Sequence, residues 1–141
     1  MDRLQLTFLA VIVAQAAHSL EEYRGRLYDV FPPARFVSGA ITSDRERGFV
    51  TLNVLILAFG AWCWFWPVRR HWRSAIGLAW VWAVVEVLNG IGHSAWSLMR
   101  GGYTPGVATA PALLALALTL GAQLVNATRP DAAGPSRTEG A

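Results

Sequence analysis

Lysine is missing from this 141-residue chain, cysteine occurs once, and charged residues make up only 15% of it. Each scarcity excludes something. A lone cysteine, Cys63, forbids an internal disulfide, and its place among tryptophans makes it packing material. The 12 cationic side chains other than histidine are all arginine. Charge this sparse, beside 54% hydrophobic residues and a positive mean hydropathy, excludes an ordinary soluble domain. No internal repeat is evident either, which sets the chain apart from transporters built on repeated halves.

The sequence has four long apolar windows: Leu4 to Leu20, Phe49 to Val68, Ala75 to Met99 and Gly106 to Val125. Each approaches the roughly 20 residues that a helix needs to cross a bilayer. The expectation is an all-α fold: an integral membrane four-helix bundle over residues 1–128, followed by a disordered polar tail over 129–141. A short apolar start before Ala14-Gln15-Ala16-Ala17 also resembles a cleavable signal peptide. Its weak basic flank, with Asp2 inside it, favours a retained helix.

The net charge of +3 raises nucleic acid as a partner, but the placement of the arginines argues against it. The densest cluster, Arg69-Arg70-His71-Trp72-Arg73, follows Trp62, Trp64 and Trp66 in the tight connection between the second and third spans. An aromatic belt and a basic loop mark a cytoplasmic membrane face, which puts a multi-pass protein in the cell membrane with both termini inside. The partners expected are therefore the lipid bilayer and a hydrophobic or lipid-like small molecule, with no nucleic acid. The irregular stretch from Tyr23 to Asp44, with Phe31-Pro32-Pro33, suits a lid lying along the interface.

Ionisable groups inside apolar helices carry the functional signal, because a bilayer makes them costly. His18 and Glu22 are four apart and share a helix face, and Gln15 extends that stripe by a turn. Glu21 lies to the other side of His18. In the third span Glu86, Asn89 and His93 fall on one narrow arc. Four successive crossings bring His18, Glu21, Glu22, His93 and the loop from Arg100 to Gly106 to one side of the membrane, with Asn53 in reach and Glu86 about 10 Å deeper at 1.5 Å per residue. The result is a polar His/Glu/Asn pocket near one interface, opposite the arginine loop.

In the loop, Thr104 and Pro105 read as turn chemistry, with Thr104 as a cap and Pro105 in the first turn of the last helix. The Tyr103 hydroxyl sits at the pocket mouth. Gly90 and Gly92 allow another helix to come close to the turn that holds His93. Arg45, Arg47 and Arg100 either grip an anionic headgroup or anchor the interface.

A His-x-x-Glu-Glu run in the first helix, an Asn-x-x-x-His pair in the third and a Tyr-Thr-Pro-Gly turn before the last helix together resemble the HXXEE-domain family of small prokaryotic membrane proteins. The resemblance spans His18 to about Leu120. It implies a membrane protein with motif residues at His18, Glu21, Glu22, His93, Tyr103, Pro105 and Gly106, and it names no reaction.

Four chemistries compete for the pocket. In the first, His18, Glu21, Glu22 and His93 hold a divalent transition metal (zinc, iron or manganese) that activates water or a substrate oxygen. In the second, metal-free acid/base catalysis of an isomerase or cyclase kind uses Glu22, Glu86, His93 and Tyr103, with Glu86 as proton donor or shuttle. Trp80, Trp82 and Trp96 would stabilise a developing cation if they face inward, although lipid-facing bulk is their commoner role. The third is a proton- or metal-ion transporter, for which a homodimer would supply the missing repeat. The fourth is purely structural pairing, such as His18 with Glu86 and Glu22 with His93. The balance favours a membrane enzyme acting on a hydrophobic substrate, with Asn53 and Asn89 as hydrogen-bonding supports.

Overall fold

The structure, a computed structural model, describes residues 1–129, so the expected tail beyond Arg129 lies outside the described residues. Within them the chain is all helix and connection. α1 runs Arg3–Arg24, α2 Leu27–Val30, α3 Pro32–Ile41, α4 Arg45–Cys63, α5 Ala75–Arg100 and α6 Ala110–Thr128. α4 continues as a π-helical turn, Trp64–Val68, which contains Pro67 and brings the second long apolar helix to its end. α1, α4 with that turn, α5 and α6 are long and apolar enough to cross a membrane.

Local chemistry fixes the helix ends. Asp2 accepts from the Gln5 amide at 2.8 Å and the Gln5 side chain accepts from the Asp2 amide at 3.2 Å, a reciprocal cap that starts α1. Gly101, with φ of 67°, closes α5 in the left-handed conformation that glycine adopts without steric cost. The last helix begins at Ala110 rather than at Gly106, and Pro111 takes the early position expected of Pro105. Thr104 and Pro105 are therefore not its cap and first turn. The cause is that the amides of Gly106, Ala108 and Thr109 are committed to Glu21.

α1 packs against α4 and α6, and α5 runs along α6. Gly90 makes the α5–α6 crossing close, since a Cβ there would lie 2.7 Å from Leu114 Cβ, whereas Gly92 faces open space. Apolar packing fills the half of the bundle nearer the arginine loop, around Phe8, Val11, Cys63, Trp82, Leu120 and Leu124. Because lipid tails are as apolar as these side chains, their contribution comes from close packing against one another rather than from removal from water. Trp82 is buried there with its ring edge-on to Phe8, so the lipid-facing reading fails for it.

Toward the opposite end α4 and α5 part, and the expected lid covers the gap. α3 packs on α4 so closely that a Cβ at Gly48 would overlap the Ser38 carbonyl. Leu27, Tyr28 and Phe49 form a small second core beneath it, with Phe31, Ala34 and Trp96 at its edge.

Candidate metal centre and its loop clamp

His18, Glu22 and His93 meet in the buried space between α1 and α5. His18 Nε2 stands 3.4 Å from Glu22 Oε1, and His93 Nε2 stands 3.0 Å from the same oxygen. The imidazoles meet edge to face, their centroids 4.7 Å apart. Ligands held 2.0–2.1 Å from a tetrahedral ion sit roughly 3.3 Å apart, close to these separations.

The far side of each ring fixes its tautomer. His93 Nδ1 lies 2.8 Å from the Pro105 carbonyl, which can only accept, so Nδ1 carries a proton and donates it. His18 Nδ1 lies 2.7 Å from Thr109 Oγ1, and that hydroxyl donates its single proton to Glu21 Oε2 at 2.6 Å. Thr109 therefore accepts from His18. With Nδ1 a donor on both rings, both Nε2 atoms face the Glu22 carboxylate, where a neutral ring presents a lone pair and an imidazolium a proton. His18 Nε2 is wholly buried and receives no hydrogen bond. Three acceptors facing one another need a cation or protons between them.

Glu21, expected to be a ligand or an orienter, lies outside this triad and orients. Its carboxylate accepts from the Tyr103 hydroxyl at 2.9 Å, from the amides of Gly106, Ala108 and Thr109 at 3.1, 3.1 and 2.9 Å, and from Thr109 Oγ1. One side chain thus gathers the whole loop between α5 and α6. Loss of surrounding water and the facing Glu21 carboxylate push the Tyr103 phenol above its ordinary pKa, so it stays a donor at neutral pH. The Tyr103 ring is largely exposed and its hydroxyl is engaged by Glu21, away from the triad.

The remaining loop residues complete the clamp through their backbones. Gly106, at φ of 95°, passes so close that a Cβ would lie 2.5 Å from His93 Nδ1 and 2.9 Å from His18 Cε1. Only glycine fits there. Pro105 supplies the carbonyl for His93 and packs its ring where a Cβ on Gly25 would be, 2.6 Å away. Thr109 was not singled out by the sequence; the signal available was a hydroxyl residue just ahead of the last apolar window, beside the loop motif.

Glu86 belongs to a separate polar row. It is buried, with Asn89 Nδ2 donating to Oε2 at 3.2 Å. The row continues through Gln15, Ser19 and Asn53, and its direction can be read from its end. Asn53 Nδ2 donates to the Phe49 carbonyl at 3.0 Å, Ser19 Oγ donates to Asn53 Oδ1 at 2.6 Å, and Gln15 Nε2 donates to Ser19 Oγ at 3.1 Å. The other Gln15 amide atom then faces Glu86 Oε2 at 2.9 Å as an oxygen, a bond that forms when Glu86 carries a proton. Turning the Gln15 amide over would give an ionised Glu86 a donor, but it would ask one Ser19 proton to make two bonds. His18 pairs with Glu22, not with Glu86 as structural pairing suggested. Asn53 and Asn89 support this row rather than the triad.

Arg45 stands 3.7 Å from Asp29 and Arg47 3.2 Å from Asp44, so each has a carboxylate of the chain beside it. Trp96 faces inward, its ring 4.6 Å from Phe31 and 6.4 Å from His93.

The loop geometry gives every element of the His-x-x-Glu-Glu and Tyr-Thr-Pro-Gly patterns except Thr104 a place around one centre. A family model described as "protein of unknown function with HXXEE motif" matches residues 9–120. The chain belongs to the HXXEE family. Neither the curated proteins nor the solved structures contain a match to it. In this HXXEE protein the motif's histidine and second glutamate join the triad, while its first glutamate holds the loop that orients both imidazoles.

Proposed function

We propose that the protein is a membrane-embedded metal-dependent enzyme whose centre is His18, Glu22 and His93 and whose substrate is a hydrophobic molecule. The observation that supports this reading is the inward convergence of the Glu22 carboxylate with two imidazoles whose outer ring nitrogens are already committed as donors. Two imidazoles and one carboxylate form the ligand set of catalytic zinc and of open non-haem iron sites. Such an ion keeps a coordination position free and polarises an oxygen placed there. The chain's own part is to keep the imidazoles neutral and oriented through Pro105, Thr109 and Glu21, and to keep bulk water out.

Elemental analysis of detergent-purified protein, wild type beside His18→Ala and His93→Ala, tests the proposal. Near-stoichiometric zinc, iron or manganese in wild type and its loss from both variants is the expected result. A folded wild type that takes up no metal on titration overturns it.

A further inference from the structure

A cavity of about 270 Å³ lies against the triad where α4 and α5 part. Glu22 and His93 form one end of its wall, with Gln15, Asn53 and Asn89 beside them. Apart from Ser38 the rest is apolar, with Phe31 and Ala34 from the lid and Phe49, Leu52 and Ile56 from α4. A second recess of about 210 Å³ shares Phe31, Asn89 and His93 with it and reaches outward between Leu88, Gly92 and Trp96. Leu88 is 64% exposed on a helix that is long and apolar enough to cross a membrane, so this mouth opens sideways toward hydrocarbon. The lid turns outward-facing Phe36 and Ile41 to the same medium.

Resting on the metal reading above, we infer that the site takes a single-chain amphiphile with an anionic oxygen head, a fatty-acid-like carboxylate, which enters from the bilayer between α5 and Phe31 of the lid. The chain fills the apolar cavity and the head reaches the centre. Charge supports the choice of head. A divalent ion with Glu22 as its one anionic ligand carries a net positive charge, and a carboxylate both neutralises it and supplies the missing oxygen. Size and lining support the choice of tail, since about 270 Å³ lined by Phe31, Ala34, Phe49, Leu52 and Ile56 is space for part of one acyl chain rather than for two. Ser38 Oγ, 1% exposed on the cavity wall and without a hydrogen-bond partner, offers the ligand a second polar contact.

The test reconstitutes full-length, zinc-loaded protein in phosphatidylethanolamine/phosphatidylglycerol vesicles. These contain a diazirine-bearing fatty acid or, separately, the fatty amine of equal length, and cross-links are mapped by mass spectrometry. The fatty acid is expected to label residues 31–38 and 49–56 at least tenfold more than the amine does. Ala34→Trp and Leu52→Trp, which fill the cavity without touching the triad, should abolish that labelling while metal content stays at the wild-type level. Labelling confined to outward positions such as Leu118, or unchanged in both variants of full metal content, overturns the inference and leaves the metal reading intact. Absence of metal from wild type overturns the metal reading itself, and equal labelling by acid and amine then removes the head-group assignment with it.

Discussion

Glu21 and Glu22 are neighbours in sequence, about 100° apart around one helix, and their surroundings are opposites. Around Glu21 five donors converge on one carboxylate, so every demand of that charge is met by the protein. Around Glu22 two ring nitrogens arrive, at 3.4 and 3.0 Å, and among the described residues no backbone amide or hydroxyl donates to the carboxylate. The clamp is complete as it stands, and the centre is complete only with a cation or added protons. Satisfaction of polar groups, more than their mere clustering, therefore separates the residue that builds the site from the residue that uses it.

The sharpest way to break this contrast is Glu22→Gln. The variant should lose metal almost entirely, by more than about 100-fold in affinity, because a carboxylate ligand is gone. Its amide can donate to the two Nε2 atoms, so the metal-free variant should melt higher than metal-free wild type. A melting point below that of metal-free wild type would show that the two imidazoles already hold protons and that the facing-acceptor argument is wrong. Glu21→Gln should act on the clamp instead. A neutral amide accepts the loop's donors weakly, so folding stability should fall by on the order of 3 kcal/mol and metal affinity by about 10–100-fold. Hydrogen exchange should rise at residues 103–109 while α1 and α5 keep their protection.

Two smaller changes probe how the clamp reaches the centre. Gly106→Ala places a Cβ against both imidazoles and strains a positive φ, which should cost about 1–3 kcal/mol and weaken metal binding, read by thermal melts and zinc titration. Thr109→Val removes the hydroxyl between Glu21 and His18. About tenfold weaker metal binding is expected, with recovery in Thr109→Ser, where the hydroxyl returns. Equal loss in the serine variant would point to packing rather than to the hydrogen-bonded relay.

Much of the centre was legible in the sequence because its geometry is local. Helical spacing alone put His18 with Glu22, and counting crossings brought His93 to them. The spans were legible too, from hydropathy. The roles of Glu21, Pro105 and Gly106 were not, because they depend on backbone amides, a carbonyl and a missing Cβ, none of which has a side-chain signature. The boundary of the last helix failed for a related reason. Residues 106–109 are small and partly apolar, so they extend the hydrophobic window although their amides are bound elsewhere. Thr109 was overlooked since a threonine near a helix start usually serves that helix, whereas here it serves His18.

The smallest effect is expected at the other buried acid. Sequence reasoning placed Glu86 at the floor of the same pocket as a proton donor or shuttle, since a charge so deep in hydrocarbon is costly to keep. The hydrogen-bond row that ends at Phe49 asks Glu86 to donate toward Gln15, which a neutral carboxylic acid does and a carboxylate cannot. Glutamine reproduces the neutral acid in shape and can donate to the same oxygen. Glu86→Gln should therefore leave metal content unchanged and stability within about 1 kcal/mol. In infrared spectra of wild type, a protonated-carboxyl band that disappears in this variant would place the proton on Glu86. A variant that melts several degrees lower, with no such band in wild type, would show an ionised Glu86 held by a turned-over Gln15 amide, and the deep acid would then resemble Glu21, a charge met by donors, rather than a proton donor.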